Sequence, residues 1–241
     1  MVIKGGITVD NGNLNLTLDR ADSVLEGFIF SKNSGNAVVN LDNSALWRVS
    51  KFDFGNSVAS LMVNNGATVD MTFDDTAATE LAITDYSGTG GNFIMDTDLA
   101  AETGDKVNII NSAGGTTYVQ VKDVSLVNGH MVTGAKNLLL ITDTNQNVNF
   151  VGKNLNAGGL WDVTPTLENG ENVTLTDGSQ GTKDQWYLTK IAKAVNNDSQ
   201  VLLDAVDSSY ALWRNTNDSL RKRFGELRLH TNETDDDGIW A

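Results

Sequence analysis

The residues able to do chemistry in this chain are few and poorly spaced for it. His130 and His230 lie in distant segments, and neither has a carboxylate at the spacing that orients a general base or completes a metal site. Cysteine is absent, which excludes a disulfide framework, a thiolate nucleophile and a cysteine-ligated metal. Gly88-Thr89-Gly90-Gly91 has the glycine density of a phosphate loop, but no lysine and no helix pattern follow, so it reads as a turn. Asp74-Asp75 and Asp235-Asp236-Asp237 would attract Ca²⁺, yet they lack the alternating oxygen spacing of a dedicated loop and read as solvated acidic turns. Asn172-Val173-Thr174 matches a glycosylation triplet in form only. No catalytic, cofactor-binding or metal-binding residue is assigned, no cofactor is expected, and the chain is read as a non-enzyme.

The elements around these residues explain the poverty. Of 241 residues, 31 are acidic and 17 basic, a net charge of −14 that repels nucleic acid and anionic lipid. With 1 proline against 23 glycines, Gly, Asn and Asp must make the turns. No apolar run is long enough for a transmembrane helix, and Met1–Asp10 has no signal-peptide core; if the parent protein is exported, this chain is expected to be a fragment of it.

From Ile3 to about Lys190 the pattern is short and β-like. Runs such as Leu14–Leu18, Ala37–Leu41, Val58–Val63, Lys106–Ile110 and Leu138–Thr142 are broken by Asn, Asp and Gly. Three of them repeat in chemistry. Leu18-Asp19-Arg20-Ala21-Asp22, Leu41-Asp42-Asn43-Ser44-Ala45 and Val63-Asn64-Asn65-Gly66-Ala67 each set an apolar residue before a polar turn, at intervals of 23 and 22 residues. Ala45, Trp47 and Val49 then fall opposite Ala67, Val69 and Met71. A period near 22 suits one coil of a β-helix, in which stacked coils shelter each other's apolar side chains and turn asparagines pair from coil to coil. Asn11-Gly12, Asn65-Gly66, Asn128-Gly129, Asn169-Gly170 and Asp177-Gly178 equally suit the hairpins of an antiparallel sandwich. On pattern alone the two architectures stand level. Beyond about Asn92 the periodicity weakens and hairpins are expected. Trp47, Trp161 and Trp186, lying in β runs, are expected in the core or capping a coil.

After Asn197 the period changes. With Asp198-Ser199 as N-cap, Gln200–Leu229 reads as an amphipathic helix, loosened at Asn215–Asp218 and basic through Arg214, Arg221, Lys222, Arg223 and Arg228. Such a helix suits a membrane surface or an acidic tunnel. Trp213 is expected to pack it against the last coil, and Thr231–Gly238 is expected to be a flexible acidic tail.

Leu220-Arg221-Lys222-Arg223-Phe224-Gly225-Glu226-Leu227-Arg228, followed by Gly238-Ile239-Trp240-Ala241, resembles the linker and first barrel strand of bacterial autotransporters. Upstream, Leu46-Trp47-Arg48-Val49, Val58–Val63, Gly91–Leu99, Gly104-Asp105-Lys106-Val107, Leu138–Thr142 and Trp186-Tyr187-Leu188 resemble, in order, the closing segments of a pertactin-like passenger. The resemblance covers roughly residues 37–241. It implies an all-β fold: a right-handed parallel β-helix with hairpins toward its C-terminal end, followed by an α-helix. Residues 1–197 would be the passenger segment, with autochaperone-like coils between about Ala37 and Lys190. Residues 198–230 would be the linker helix, and 231–241 the tail and start of the first barrel strand. It further implies type V secretion, a cell-surface location at the outer membrane, a monomer, the chain's own C-terminal β-barrel as partner, and a stalk supporting adhesion and virulence. The alternative is direct binding of a host protein or glycan, which exposed aromatics clustered on one face would favour. Where some relatives self-cleave at an Asn-Asn pair, this chain has Asp218-Ser219, which speaks against that cleavage.

Overall fold

The computed structural model describes residues 1–74, 77–127, 137–156 and 161–230. His130, Asn128-Gly129, Asp75, the tail 231–241 with Trp240, and the side chains of Trp161, Asp198 and residues 225–230 lie outside what is described. Two compact units are formed, Met1–Ala194 and Val195–Ala241.

The first unit is a parallel β-solenoid. Its first coil consists of β1 (Val2–Lys4), β2 (Ile7–Asp10) and β3 (Asn13–Leu18), and its second of β4 (Val24–Glu26), β5 (Ile29–Lys32) and β6 (Asn36–Leu41). In the third, β7 (Leu46–Arg48) precedes β8 (Asn56–Val63), which runs through two faces without a turn. β9 (Thr68–Asp70) and β10 (Glu80–Ser87) make the fourth coil. β11 (Gly91–Asp98), the two-residue β12 (Thr103–Gly104) and β13 (Lys106–Ser112) make the fifth. β14 (Gly115–Asp123) and β15 (Leu138–Asp143) follow, then β16 (Val148–Gly152), β17 (Leu155–Asn156), β18 (Trp161–Asn169) and β19 (Gln185–Val195).

The expected register is the observed one. Leu18 pairs with Leu41 and Leu41 with Val63, all in parallel strands. Trp47 pairs with Val69. The antiparallel sandwich is thereby ruled out for the first hundred residues. One rung descends through Val2, Val24, Leu46 and Thr68 at 22-residue steps, then reaches Asn92, Tyr118 and Val151 at steps of 24, 26 and 33. The lengthening accounts for the loss of visible periodicity beyond Asn92. Inward positions form columns along the axis, and Leu25, Trp47, Val69, Phe93 and Val119 make one that is entirely buried. No single coil could shelter those side chains; each relies on the coils above and below.

Turns obey the same repetition. Asn11, Asn33, Asn43 and Asn65 take positive φ (50°, 55°, 49° and 47°), which asparagine tolerates better than other residues with a Cβ. Polar side chains at these turns pair across coils: Asn33 Nδ2 donates to Asp10 Oδ1 at 2.6 Å, Asn36 to Asn13 at 3.2 Å and Asn65 to Asp42 at 2.7 Å. The expected asparagine ladder is therefore present, mostly as Asn–Asp rungs. Asn11-Gly12 and Asn65-Gly66 turn corners between successive strands of the winding instead of closing hairpins. Asp177-Gly178 does sit in a hairpin-like turn, bracketed by an antiparallel bridge between Thr174 and Gln180.

The second unit holds one long helix, α2 (Asn197–His230), which follows the single turn α1 (Val124–Val127) in chain order. It is continuous through Asn215–Asp218, so the expected loosening is absent. The cap lies two residues earlier than Asp198: Asn196 Oδ1 accepts the Ser199 N–H at 2.9 Å. Leu203, Val206, Tyr210, Trp213, Leu220 and Phe224 form an exposed stripe, with Trp213 stacked on Tyr210 at 6.0 Å.

Candidate functional site at the closing coils

The C-terminal coils differ from the rest in how their ends are finished. Parallel stacking leaves an open row of N–H and C=O groups wherever it stops, and such an edge invites pairing with other chains. Here β19 reverses direction and pairs antiparallel with β15: Leu138 with Leu188, Leu139 with Tyr187, Ile141 with Trp186, with a register shift between them. β18 lies beyond β19 in the same sheet, and β17 pairs antiparallel with β18. The hairpins expected toward this end are present. Trp186 meets Phe150 edge-on at 5.5 Å, and Leu188 is 1% exposed, so the strand is a lid on the core as well as on the edge.

Inside these coils the core acquires polar ties. Tyr86 Oη and Thr117 Oγ1 share a 2.8 Å hydrogen bond, and burial pushes the Tyr86 hydroxyl well above its ordinary range. Asp105, fully buried, accepts the Thr79 N–H (2.8 Å) on one oxygen and the Asp96 N–H (2.7 Å) on the other. Desolvation dominates these bonds and raises its pKa to about 6. Asp123 Oδ1 accepts from the Leu99 and Ser125 backbone and from Ser125 Oγ (2.7 Å), while Lys193 Nζ stands 3.8 Å from the other oxygen. Asp143 Oδ2 accepts Asn147 N–H and Val148 N–H, both at 3.1 Å, and Asp143 N–H donates to Asp184 O at 2.7 Å. Asp105, Asp123 and Asp143 thus each hold main chain at the end of a strand.

The residues weighed for chemistry are dispersed by the fold. Asp74 is exposed and accepts the Lys51 N–H. His230 ends α2. Gly88–Gly90 is a turn, as expected, and β11 begins at Gly91; a Cβ at Gly115 (φ 108°) in the next coil would strike Gly88 O, so backbones touch there and leave no room for a phosphate. Among the described residues no group of three His, Asp or Glu could hold a metal. Trp47 is core, its Nε1 donating to Gly27 O at 2.9 Å, and Trp186 caps. Reading the sequence missed the carboxylate staples, whose only signal is an Asp at the end of an apolar run. It also missed a surface cluster of Phe28, Phe30, Phe52 and Phe54, signalled by two Phe-x-Phe triplets one coil apart.

Comparison with known proteins adds the following. The pertactin family model matches residues 58–190, just over half of the chain. The chain is 25% identical over 241 residues to the autotransporter CRAC of Citrobacter rodentium (strain ICC168), covering 94% of this chain and 14% of that protein. It is 30% identical over 130 residues to the autotransporter adhesin/invasin TibA of Escherichia coli O78:H11 (strain H10407 / ETEC), covering 51% of this chain and 12% of that one. The chain therefore spans only about a seventh of the length of these relatives or less.

Proposed function

The chain belongs to the pertactin family, and from that premise we propose that it is the membrane-proximal part of an autotransporter passenger: a stalk whose closing coils promote folding and secretion. The observation that carries this reading is the antiparallel lid of β19 on β15. A stack with one of its two sheets closed at the C-terminal end, and its last coils tied by buried Asp105, Asp123 and Asp143, is suited to form first and template coils added from the other side. Pairing of distant strands is slow, and open edges aggregate, so a folded exit end keeps the remaining chain productive.

In this reading residues 1–197 are passenger, 198–230 the linker helix, and 231–241 lead into the chain's own β-barrel at the outer membrane. The basic stretch Arg221–Arg223 suits an acidic lumen. The passenger stands on the cell surface and supports adhesion; one relative is itself named an adhesin/invasin. The role is mechanical, and the carboxylates of Asp105, Asp123 and Asp143 are spent on backbone N–H groups.

Surface display tests it. The chain is expressed ahead of an autotransporter barrel, and passenger exposed to external protease is scored. Leu188→Asp at the lid is expected to cut display at least tenfold, whereas Leu25→Asp in the second coil leaves display near wild type. Equal loss from both substitutions, or from neither, overturns the secretion role.

A further inference from the structure

A shallow groove runs along one flank of the solenoid, with a volume of about 320 Å³, the low end for ligand sites. Its wall is built by outward positions of successive coils. Ser57, Ala82 and Asn108 occupy one rung, with Ser31, Thr84 and Ile110 beside them. None of the residues lining it is charged, although the chain carries a net −14. Among the described residues, the Thr84 hydroxyl and the Asn108 amide make no hydrogen bond, and both residues are exposed.

An aromatic platform adjoins the groove. Phe30 pairs with Ser57 and precedes Ser31. Around it, Phe28 stacks on Phe52 with centroids 4.0 Å apart and planes within 10°, Phe52 meets Phe54 edge-on at 5.5 Å, and Phe30 lies 5.9 Å from Phe54. Phe52 and Phe54 ride on the segment 49–55, seven residues between β7 and β8 where the first two coils have two. The extra length lifts Phe54 clear of the wall, and it is 77% exposed. A contiguous aromatic cluster so placed is costly to leave in water.

We propose that this groove and platform bind a neutral oligosaccharide. The apolar C–H face of a pyranose fits the electron-rich face of an aromatic ring. Its hydroxyls suit uncharged donors and acceptors such as Thr84 and Asn108. Charge narrows the choice further: the acidic body disfavours sulfated or sialylated glycans, anionic bilayers and a second copy of itself.

Titration of the whole 241-residue chain with neutral hexasaccharides of β-linked glucose, N-acetylglucosamine and galactose tests it. At least one is expected to bind saturably, a sulfated hexasaccharide not at all. The double substitution Phe52→Ser, Phe54→Ser weakens binding at least tenfold, as does Asn108→Asp, with the thermal midpoint of Asn108→Asp unchanged. Absence of binding by every neutral hexasaccharide overturns the proposal, as does binding that neither variant alters. So does Phe54-dependent self-association in sedimentation, or Phe54-dependent adsorption to phosphatidylcholine vesicles.

Discussion

Trp47 is the largest fully buried side chain in the column of Leu25, Val69, Phe93 and Val119, and its one polar atom is satisfied by Gly27 O. Trp47→Ala removes that volume between two coils and is expected to cost about 3–5 kcal/mol. Trp47→Phe keeps most of the apolar contact and leaves Gly27 O only its longer bond from Ser50 N–H at 3.4 Å, for about 0.5–1.5 kcal/mol. Urea unfolding separates the two. Asp105 gives a pH signature of unusual sign. Its folded pKa, about 6, lies above its ordinary value, so the folded state binds the extra proton. Stability is therefore expected to rise as pH falls from 7 through 6 and to level off near the ordinary carboxylate range, a gain of about 1–2 kcal/mol by pH 5 and about 3 kcal/mol in full. Asp10, Glu26 and Asp177 are shifted the other way by hydrogen bonds and cations, and their contributions fade only at lower pH. Asp105→Asn, measured by urea melts at pH 7.5 and 5, abolishes the rise. It also destabilises at both pH values, because at least one backbone N–H donor then faces an amide instead of an oxygen.

At the scale of elements, the turns decide whether coils can close on one another. Gly115→Ala forces a Cβ toward Gly88 O at φ 108° and is expected to cost at least about 2–3 kcal/mol, read as a lowered urea midpoint. The helix has its own control point: Asn196→Ala removes the acceptor for Ser199 N–H and should lower helix stability by about 1 kcal/mol, seen as earlier loss of the helical circular-dichroism signal. These two sites also mark what the sequence reveals. Leu18, Leu41 and Val63 announced their register because an apolar residue followed by a polar turn is a local signal that recurs. The solenoid and the sandwich stayed level on pattern because Asn-Gly serves a parallel corner as well as a hairpin; only partners a coil apart decide. Asp198 looked like the cap from composition, yet Asn196 takes the role because that is where the strand-like backbone ends. Asp105 and Asp143 resembled ordinary turn acids; their burial arises from segments that arrive 26 to 41 residues away and leave no local trace.

At the scale of the molecule, stability is shared between neighbours along a line. β1 has a partner on one side only, whereas β10, β11, β13 and β14 are paired on both. Amide exchange is expected to be at least about tenfold faster in Val2–Lys4 than in Phe93–Met95 or Val119–Val121, and to spread inward from the first coil as urea is raised. Uniform protection throughout would mean the stack melts as one block. The widening steps along the rung, 22, 22, 22, 24, 26 and 33 residues, carry a last consequence. Where the step is constant, a tandem duplication of residues 24–45 would slot between its parents without a seam, each new side chain landing above one like itself. Past Asn92 no coil has a twin, so a copied segment would misalign with both flanks. Length can be gained by genetic duplication only on the far side of the molecule, while the widening end stays single-copy.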